Sequence, residues 1–190
     1  MDGFWKLVFG GVAAKAGDAN DPDGIVRSAT IPQEGDLPAN YVRDILLPAL
    51  YNSQSDLMDQ VDDAQKRIVL SRSLYSNLEA SLRNFTVTGE RANDYFRDPA
   101  GDLFFNGIRI VKNKMIEQKA LTPFAAGDAR TYKRRAYLIV DGGFQVGTDT
   151  VQDAQVMKTW FSEDDDLNNI QIRYKLGLQF VDGDVIVVAY

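Results

Sequence analysis

Residues 67–83 read RIVLSRSLYSNLEASLR, and the hydrophobic period changes within this stretch. Arg67–Leu70 is a short apolar run of the strand type, and Ser71 ends it. Ser71 or Ser73 can cap the helix that follows, in which leucines recur every four residues as far as Leu82. The stretch therefore predicts a strand that runs directly into an amphipathic helix.

The chain before this unit begins with an irregular N-terminal segment, residues 1–35. Its apolar start is followed by a stretch rich in Gly, Asp, Asn and Pro, which is typical of turns and loops. Within this segment, Ile25–Ile31 is predicted to be extended. Asp36 suits an N-cap position and Pro38 suits the first turn, so a helix is predicted to start there.

The first predicted helix has one apolar face, formed by Tyr41, Ile45, Ala49 and, one turn further, Asn52, with Val42 and Leu46 beside it. Pro48 should kink or break this helix, because proline removes an internal hydrogen bond. A second short helix is predicted from Ser55 to about Val61, capped by its first or second residue. Helical structure is therefore expected early in the chain.

Strand patterns dominate after residue 100. Leu103–Phe105 and Ile108–Val111 flank Asn106-Gly107, which suits a tight hairpin turn because both positions tolerate positive φ. Ala136–Val140 is long enough for a buried strand, and Phe144–Gly147 is a second short extended piece.

The C-terminal stretch predicts a further hairpin. Ile170–Val181 alternates apolar and polar residues, as a half-buried strand does. Asp182-Gly183-Asp184 is predicted to turn it back into Val185–Tyr190. The region near Ala154–Met157 is predicted to be helix or loop. Residues 36–190 are thus expected to form one α+β domain, with helices early and a β-rich end.

Two absent residue types exclude several kinds of chemistry. The chain has no Cys and no His, so it has no disulfide, no Ser-His-Asp triad, no thiol protease site and no ordinary zinc site. Carboxylate chemistry, a lysine nucleophile and an oxygen-ligand metal site stay open. The formal charge of −6 and the pI near 4.7 argue against tight nucleic-acid binding. No stretch approaches the about 20 apolar residues of a membrane span, and Met1–Phe9 lacks the basic start of a signal peptide.

Several groups of residues look like sites, and each has a simpler structural explanation. Glu163–Asp166 are four carboxylates that repel one another, which favours a solvated loop. Asp18–Gly24 has the wrong residues at the fifth and sixth places of a calcium loop. Lys133-Arg134-Arg135 favours a solvated strand face over nucleic-acid binding, and Trp5 and Trp160 favour core or interface positions. No catalytic, cofactor-binding or metal-binding residue, and no cofactor, is predicted.

The order of the elements resembles the central (axial) domain of tailed-phage major capsid proteins. This is the Hong Kong ninety-seven capsid fold, which encapsulin shells share. In that family a unit of strand, Ser or Asn, and helix precedes an aromatic-Gly-Ile-Pro-Ile/Val segment, here Phe105–Val111 with Arg109 in place of the proline. A strand with a Gly-containing continuation and a final hairpin come later, here Ala136–Gly147 and Ile170–Tyr190. The resemblance covers roughly residues 36–190.

The resemblance implies a mixed sheet flanked by helices in a structural protein that is not an enzyme. The chain would be a self-assembling subunit, or core fragment, of a phage or prophage capsid shell, located in the virion and assembled in the bacterial host cytoplasm. Its partners would be copies of itself in capsomer rings and the shell, with scaffold or portal proteins as further partners. Neither membrane nor tight nucleic-acid binding is expected. The loops at about Thr86–Asp102 and Glu117–Arg130 are expected to reach neighbours or the ring axis. The family's N-terminal arm and extended loop have no evident counterpart, because the chain begins too late to hold both.

Two other function classes stay open. The first is an acidic protein-binding adaptor module that uses a sheet edge or an acidic loop. The second is a carboxylate-based hydrolase that uses some of Asp141, Asp149, Asp164 and Asp182. Affinity for one discrete partner without ring formation would favour the adaptor. Loss of a measured activity on single Asp→Asn changes, with folding intact, would favour the hydrolase.

Overall fold

The computed structural model describes residues 4, 5, 7–9, 12, 24–83, 101–119, 132–147, 156–162, 167–173 and 177–190. The strands are β1 (Val26–Ala29), β2 (Lys66–Ser71), β3 (Leu103–Phe105), β4 (Ile108–Asn113), β5 (Ala136–Val140), β6 (Phe144–Gly147), β7 (Val156–Ser162), β8 (Leu167–Arg173), β9 (Gly177–Phe180) and β10 (Ile186–Ala189). The helices are α1 (Leu47–Asn52), α2 (Asp56–Asp59), α3 (Arg72–Arg83) and α4 (Met115–Lys119), with a π-helical turn at Val42–Leu46 and 3-10 turns at Asp63–Gln65 and Gly183–Val185. Within these ranges, no helix has the length and apolar character that crossing a membrane requires.

Six strands form a mixed sheet in the order β1-β10-β5-β2-β4-β3. Strand β5 is antiparallel to both of its neighbours, whereas β2 is parallel to β4 and β1 is parallel to β10. Two further sheets have two strands each, β6 with β9 and β7 with β8. The predicted α+β class, with a mixed sheet flanked by helices, is confirmed.

Alternate residues of the central strands face two different cores, because successive side chains of a strand point to opposite faces. In β5, Leu138 packs with the helices on one face, and Ile139 lies in the cluster on the other face. In β10, Val187 and Val188 divide in the same way. Burial on both faces explains why these strands read as continuous apolar runs.

The junction of β2 with α3 confirms the predicted strand–serine–helix unit. Ser71 ends β2, and its N–H donates to the carbonyl of Arg135 at 3.0 Å. The start of α3 is held by Glu117 from α4, whose Oε1 accepts from both the N–H and the Oγ of Ser73 at 2.6 Å. Leu74 of α3 is fully buried against the sheet. The serine-rich junction thus joins three elements.

Two local predictions are confirmed in detail. Asn106 and Gly107 connect β3 to β4 with φ of +48° and +85°, the positive values that a tight hairpin turn needs. Ser55 caps α2, since its Oγ accepts from the N–H of Met58 at 3.1 Å. Both features depend on a few adjacent residues.

The predicted start of the first helix is wrong. Helical structure begins at Tyr41 rather than after Asp36, and it follows Asn40, whose φ is +63°. The side chain of Asn77 in α3 fixes this start. Its Nδ2 donates to the carbonyl of Pro38 at 3.0 Å, and its Oδ1 accepts from the N–H of Val42 at 3.2 Å. A tertiary contact therefore sets the boundary.

The predicted apolar face of that helix is confirmed for Tyr41, Val42 and Leu46, which are buried, but it is wrong for Ile45. The chain makes a π-helical turn, in which the N–H of Leu47 donates to the carbonyl of Val42. The wider turn shifts the side chains away from α-helical spacing, so Ile45 is 53% exposed while Leu46 stays fully buried. Pro48 then lies in the first turn of α1, where a missing N–H is tolerated. The helix continues through Pro48 without a break.

The predicted C-terminal hairpin is wrong as well. The stretch Ile170–Val181 contains two strands: β8 pairs with β7, in the region predicted to be helix or loop, and β9 pairs with β6. Strand β10 pairs with β5 and β1 instead. The physical reason is long-range pairing, because β9 and β10 each hydrogen-bond to a different earlier strand. At their junction, Asp182 Oδ1 accepts from the N–H of Asp184 and closes a 3-10 turn. That turn carries the chain from the small sheet to the large one.

The N-terminal segment contributes to the second core. The described residues 4, 5, 7–9 and 12 are helical, and Trp5, Val8 and Phe9 are buried. The prediction of an irregular start is therefore wrong for these residues. The predicted extended piece Ile25–Ile31 is confirmed, because it contains β1.

Candidate assembly surface

The hairpin of β7 and β8 carries large apolar side chains in contact with solvent. Its two strands pair with each other along their whole length and form a sheet of their own. Trp160 is 50% exposed, Phe161 is 54% exposed and Ile170 is 64% exposed. A two-stranded hairpin is at best marginally stable in water, and contiguous exposed apolar groups mark interaction surfaces. The hairpin is therefore the leading candidate for a protein–protein contact.

The strand register divides these side chains between two faces. Ile170 lies opposite Thr159, and Phe161 lies opposite Asn168. Cross-strand partners share a face, as do residues two apart in one strand, so Phe161 and Ile170 are diagonal neighbours on one face. Trp160 belongs to the other face. Each face of the hairpin thus presents at least one large apolar group.

A second apolar feature is a cavity of about 340 Å³ on the far side of the large sheet from most helices. Phe4 from the N-terminal segment, Met115 and Ile116 from α4, Tyr137 from β5 and Phe144 from β6 line it. The ring of Phe4 packs edge-on against Phe144, with a centroid distance of 4.6 Å. Met115 is 57% exposed, so this side of the cavity is open to solvent.

Near the cavity lining lies a buried cation, Arg135, which is 1% exposed. Its guanidinium carbon is 4.8 Å from the centre of the Trp5 ring and 5.7 Å from that of Phe9. Its Nε donates to the carbonyl of Tyr132, and within the described part of the chain its Nη2 has no hydrogen-bond partner. Burial lowers the pKa of Arg135 to about 10. Contact with the two rings offsets part of this desolvation and ties the N-terminal segment to the sheet.

The predicted solvated face at Lys133-Arg134-Arg135 is therefore wrong. Arg135 is buried, and Arg134 donates from Nη1 to the carbonyl of Pro32 at 2.6 Å. Gln33 adds to the same junction, because its Oε1 accepts from the N–H of Arg134 at 2.9 Å. Lys133 is the exposed cation of the three. The run serves mainly to bind the early part of the chain to β5.

The carboxylates considered for a hydrolase have structural partners where they are described. Asp141 pairs with Arg67, with Oδ1 2.7 Å from Nε and Oδ2 2.9 Å from Nη2. Asp182 closes the 3-10 turn, while Asp149 and Asp164 lie outside the described residues. In the part of the chain that the structure describes, no group of three or more His, Cys, Asp and Glu residues could hold a metal ion.

Several other predicted features also fall outside the described residues. These are the acidic run 163–166, residues 18–23 of the calcium-like stretch, and most of the two loops expected to reach neighbours. The two tryptophans separate: Trp5 is buried in the second core and Trp160 is exposed on the hairpin. Sequence reasoning missed both the free-standing hairpin and the cavity. The apolar start of the chain was a signal for the cavity lining.

No protein-family model matches the sequence, and no curated protein is significantly similar to it. Solved structures are similar in fold. A chain from Mycobacterium phage Che8 matches 98% of this chain over 63% of its own length, with a TM-score of 0.53 and 16% identity. The capsid structure of Cyanophage P-SCSP1u matches 98% of this chain over 61% of that chain, with a TM-score of 0.52 and 16% identity. A chain of the mature capsid of bacteriophage PhiM1 matches 87% of this chain over 51% of its own length, with a TM-score of 0.50 and 12% identity.

These likenesses confirm the predicted Hong Kong ninety-seven type of capsid fold. The identities are low, so the shared property is the arrangement of the backbone. The chain spans 63%, 61% and 51% of the three chains it matches, in the order given above.

Proposed function

We propose that the chain is a self-assembling structural subunit, or the core of one, in a phage or prophage capsid shell. The observation that carries the proposal is the fold match to a chain of the Cyanophage P-SCSP1u capsid over 98% of this chain. The protein would act in the virion, after assembly in the bacterial host cytoplasm. Its role would rest on shape and contacts, and no catalytic step is assigned to it.

The exposed hairpin supports this proposal. Phe161 and Ile170 lie on one face and Trp160 on the other, and each is at least half exposed. Exposure of such side chains to water is unfavourable, and their burial between neighbouring copies would lower the free energy of the assembly. Contacts that repeat between identical copies close into rings when the rotation between neighbours allows it.

The charge of the chain also suits a shell wall. A net charge of −6 disfavours tight binding of packaged nucleic acid, whose backbone is negative. In the basic run 133–135, Arg134 and Arg135 are engaged in contacts within the fold. Scaffold or portal proteins would be further partners during assembly.

Negative-stain microscopy of the product of the complete reading frame that contains this chain tests the proposal. Rings of five or six copies, or closed shells, are expected at high protein concentration. A product that stays monomeric at every concentration, and that binds one discrete protein partner, would replace the shell proposal with the adaptor module. Coexpression with neighbouring genes would show whether a scaffold is required.

A further inference from the structure

The earliest helical residues of the chain cover one face of the large sheet. Among the described residues 4, 5, 7–9 and 12, the side chains of Trp5, Val8 and Phe9 are buried in the second core. The ring centre of Trp5 lies 5.8 Å from that of Tyr137 in β5. The ring centre of Phe9 lies 4.7 Å from that of Tyr190, the residue after β10. A helix this short is not stable in water by itself, so its structure depends on these contacts.

Two buried polar groups on the covered face have no hydrogen-bond partner within the described part of the chain. They are Nη2 of Arg135 and Oγ of Ser71. The register of β2 with β5 places these two residues opposite each other, and the N–H of Ser71 donates to the carbonyl of Arg135, so their side chains share a face. Val69 and Ile139 lie an even number of residues away along the same strands and belong to the second core. Both groups are therefore on the face that carries the second core.

The burial of Arg135 is unfavourable for its charge. Its guanidinium carbon lies 4.8 Å from the ring centre of Trp5 and 5.7 Å from that of Phe9, and no carboxylate among the described residues pairs with it. Desolvation lowers the pKa of Arg135 to about 10, so the folded arrangement disfavours the charged form. An unpaired buried charge and unpaired buried polar groups regain hydration when they are exposed to water. They therefore favour removal of the cover above them.

We propose that these helical residues form a latch, which undocks from the large sheet as one unit while the sheet stays folded, and that Arg135 limits how firmly the latch is held. Undocking hydrates Arg135 and Ser71 but breaks the ring contacts, so the two effects oppose each other and the open state is reached without global unfolding. The open state exposes the rings of Tyr137 and Tyr190. The latch thus controls access to an apolar face of the sheet. This property belongs to a single copy and does not depend on the proposed function.

Thiol labelling of the full chain at low concentration tests the latch, because the chain has no cysteine of its own. Val8→Cys places a thiol in the latch, at a residue that is 0% exposed. The matched control is Val187→Cys, at a residue that is 1% exposed on the opposite face of the sheet. A thiol-reactive reagent labels a buried thiol only after the structure around it opens. Circular dichroism verifies that each variant is folded.

The Val8→Cys protein should be labelled faster than the Val187→Cys protein by about tenfold or more, because undocking exposes only the first thiol. Adding Arg135→Met to Val8→Cys should slow its labelling by about tenfold or more, because methionine removes the buried charge and keeps much of the volume. The matched control for this change is Lys66→Met. It removes a buried cation that has a partner, since Nζ of Lys66 lies 2.8 Å from Oδ1 of Asp63, and it should leave the labelling of Val8→Cys unchanged.

Equal labelling rates of the Val8→Cys and Val187→Cys proteins would overturn the latch, because these residues would then open only together with the sheet. Faster labelling of Val8→Cys that Arg135→Met leaves unchanged would overturn the role of Arg135. Arg135→Leu is a second neutral variant for the same comparison if the Met variant does not fold. Neither result bears on rings or shells, which micrographs detect at high concentration.

Discussion

Replacing Phe161 and Ile170 together by serine should weaken association between copies without unfolding any copy. Complete burial of one such side chain contributes about 1.5–3 kcal/mol. Phe161 is 54% exposed and Ile170 is 64% exposed, so a neighbouring copy can bury a little over half of each. The pair therefore contributes on the order of 2–4 kcal/mol per contact. At about 1.4 kcal/mol per factor of ten, the double variant should associate on the order of 30- to 700-fold more weakly.

Sedimentation velocity over a concentration series measures this change directly. The control is Lys158→Ser, which removes an exposed side chain from the opposite face of the same strand. The melting temperature of the double variant should fall by less than that of a core substitution, because both side chains are already half in water. The reasoning is refuted if the double variant assembles at the wild-type concentration. It is also refuted if the melting temperature falls as it does for a core substitution, since the side chains would then pack within one copy.

Three further predictions concern the subunit itself. Leu138 lies in the central strand β5 and is 0% exposed, so Leu138→Ala should lower the free energy of unfolding by about 3 kcal/mol in denaturant titrations. The control Leu57→Ala, at a residue that is 43% exposed, should lower it by less than about 1 kcal/mol. Equal losses would contradict the assigned core. Glu117→Ala should lower the free energy of unfolding by about 1–2 kcal/mol, because it removes the acceptor of both hydrogen bonds from Ser73. Glu117→Gln keeps an oxygen at this place and should lower it by less, whereas an unchanged Ala variant would contradict the capping role. Burial raises the pKa of Tyr137 above its usual 10.0, because the charged phenolate is disfavoured in the folded state. The protonated phenol is therefore fully compatible with folding below pH 10, and the free energy of unfolding falls as the pH rises further. Tyr137→Phe should retain more stability than the wild type only above pH 10, and a difference already present at pH 8 would contradict this cause.

The parts of the fold that could be predicted are decided within a few adjacent residues. The turn at Asn106-Gly107 needs two adjacent residues that tolerate positive φ, and Asn and Gly are the residue types that do so most readily. The strand Ala136–Val140 is apolar throughout because both of its faces are buried, a pattern visible in the sequence. The junction at Ser71 likewise combines a strand period and a helix period without long-range information.

The parts that failed depend on residues far apart in sequence. Asp182-Gly183 has the composition of a hairpin turn, yet β9 pairs with β6 and β10 pairs with β5, so pairing within the two sheets decided the outcome. The early helix predicted from Asp36 starts later because Asn77 holds the preceding turn. Local patterns cannot report such contacts.

The candidate assembly surface shows the same limit. The types of the residues in the run 133–135 indicated charge, but the burial of Arg135 depends on Trp5 and Phe9 at the other end of the chain. The alternation of Ile170–Val181 indicated a strand with one wet face, whereas its first part belongs to a hairpin with apolar groups on both faces. Which surface stays uncovered is a property of the finished fold.

The pairing of β1 with β10 has a consequence for biosynthesis. Ser28 and Val188, which are joined by a hydrogen bond across these strands, stand 160 positions apart in the chain. On the ribosome β1 emerges about 160 residues before β10, so this edge of the sheet closes later than the pairs that are nearer in sequence. A chain whose translation stops early would leave that edge open and could not present a finished subunit. Synthesis through β10 is therefore a condition for completing the large sheet.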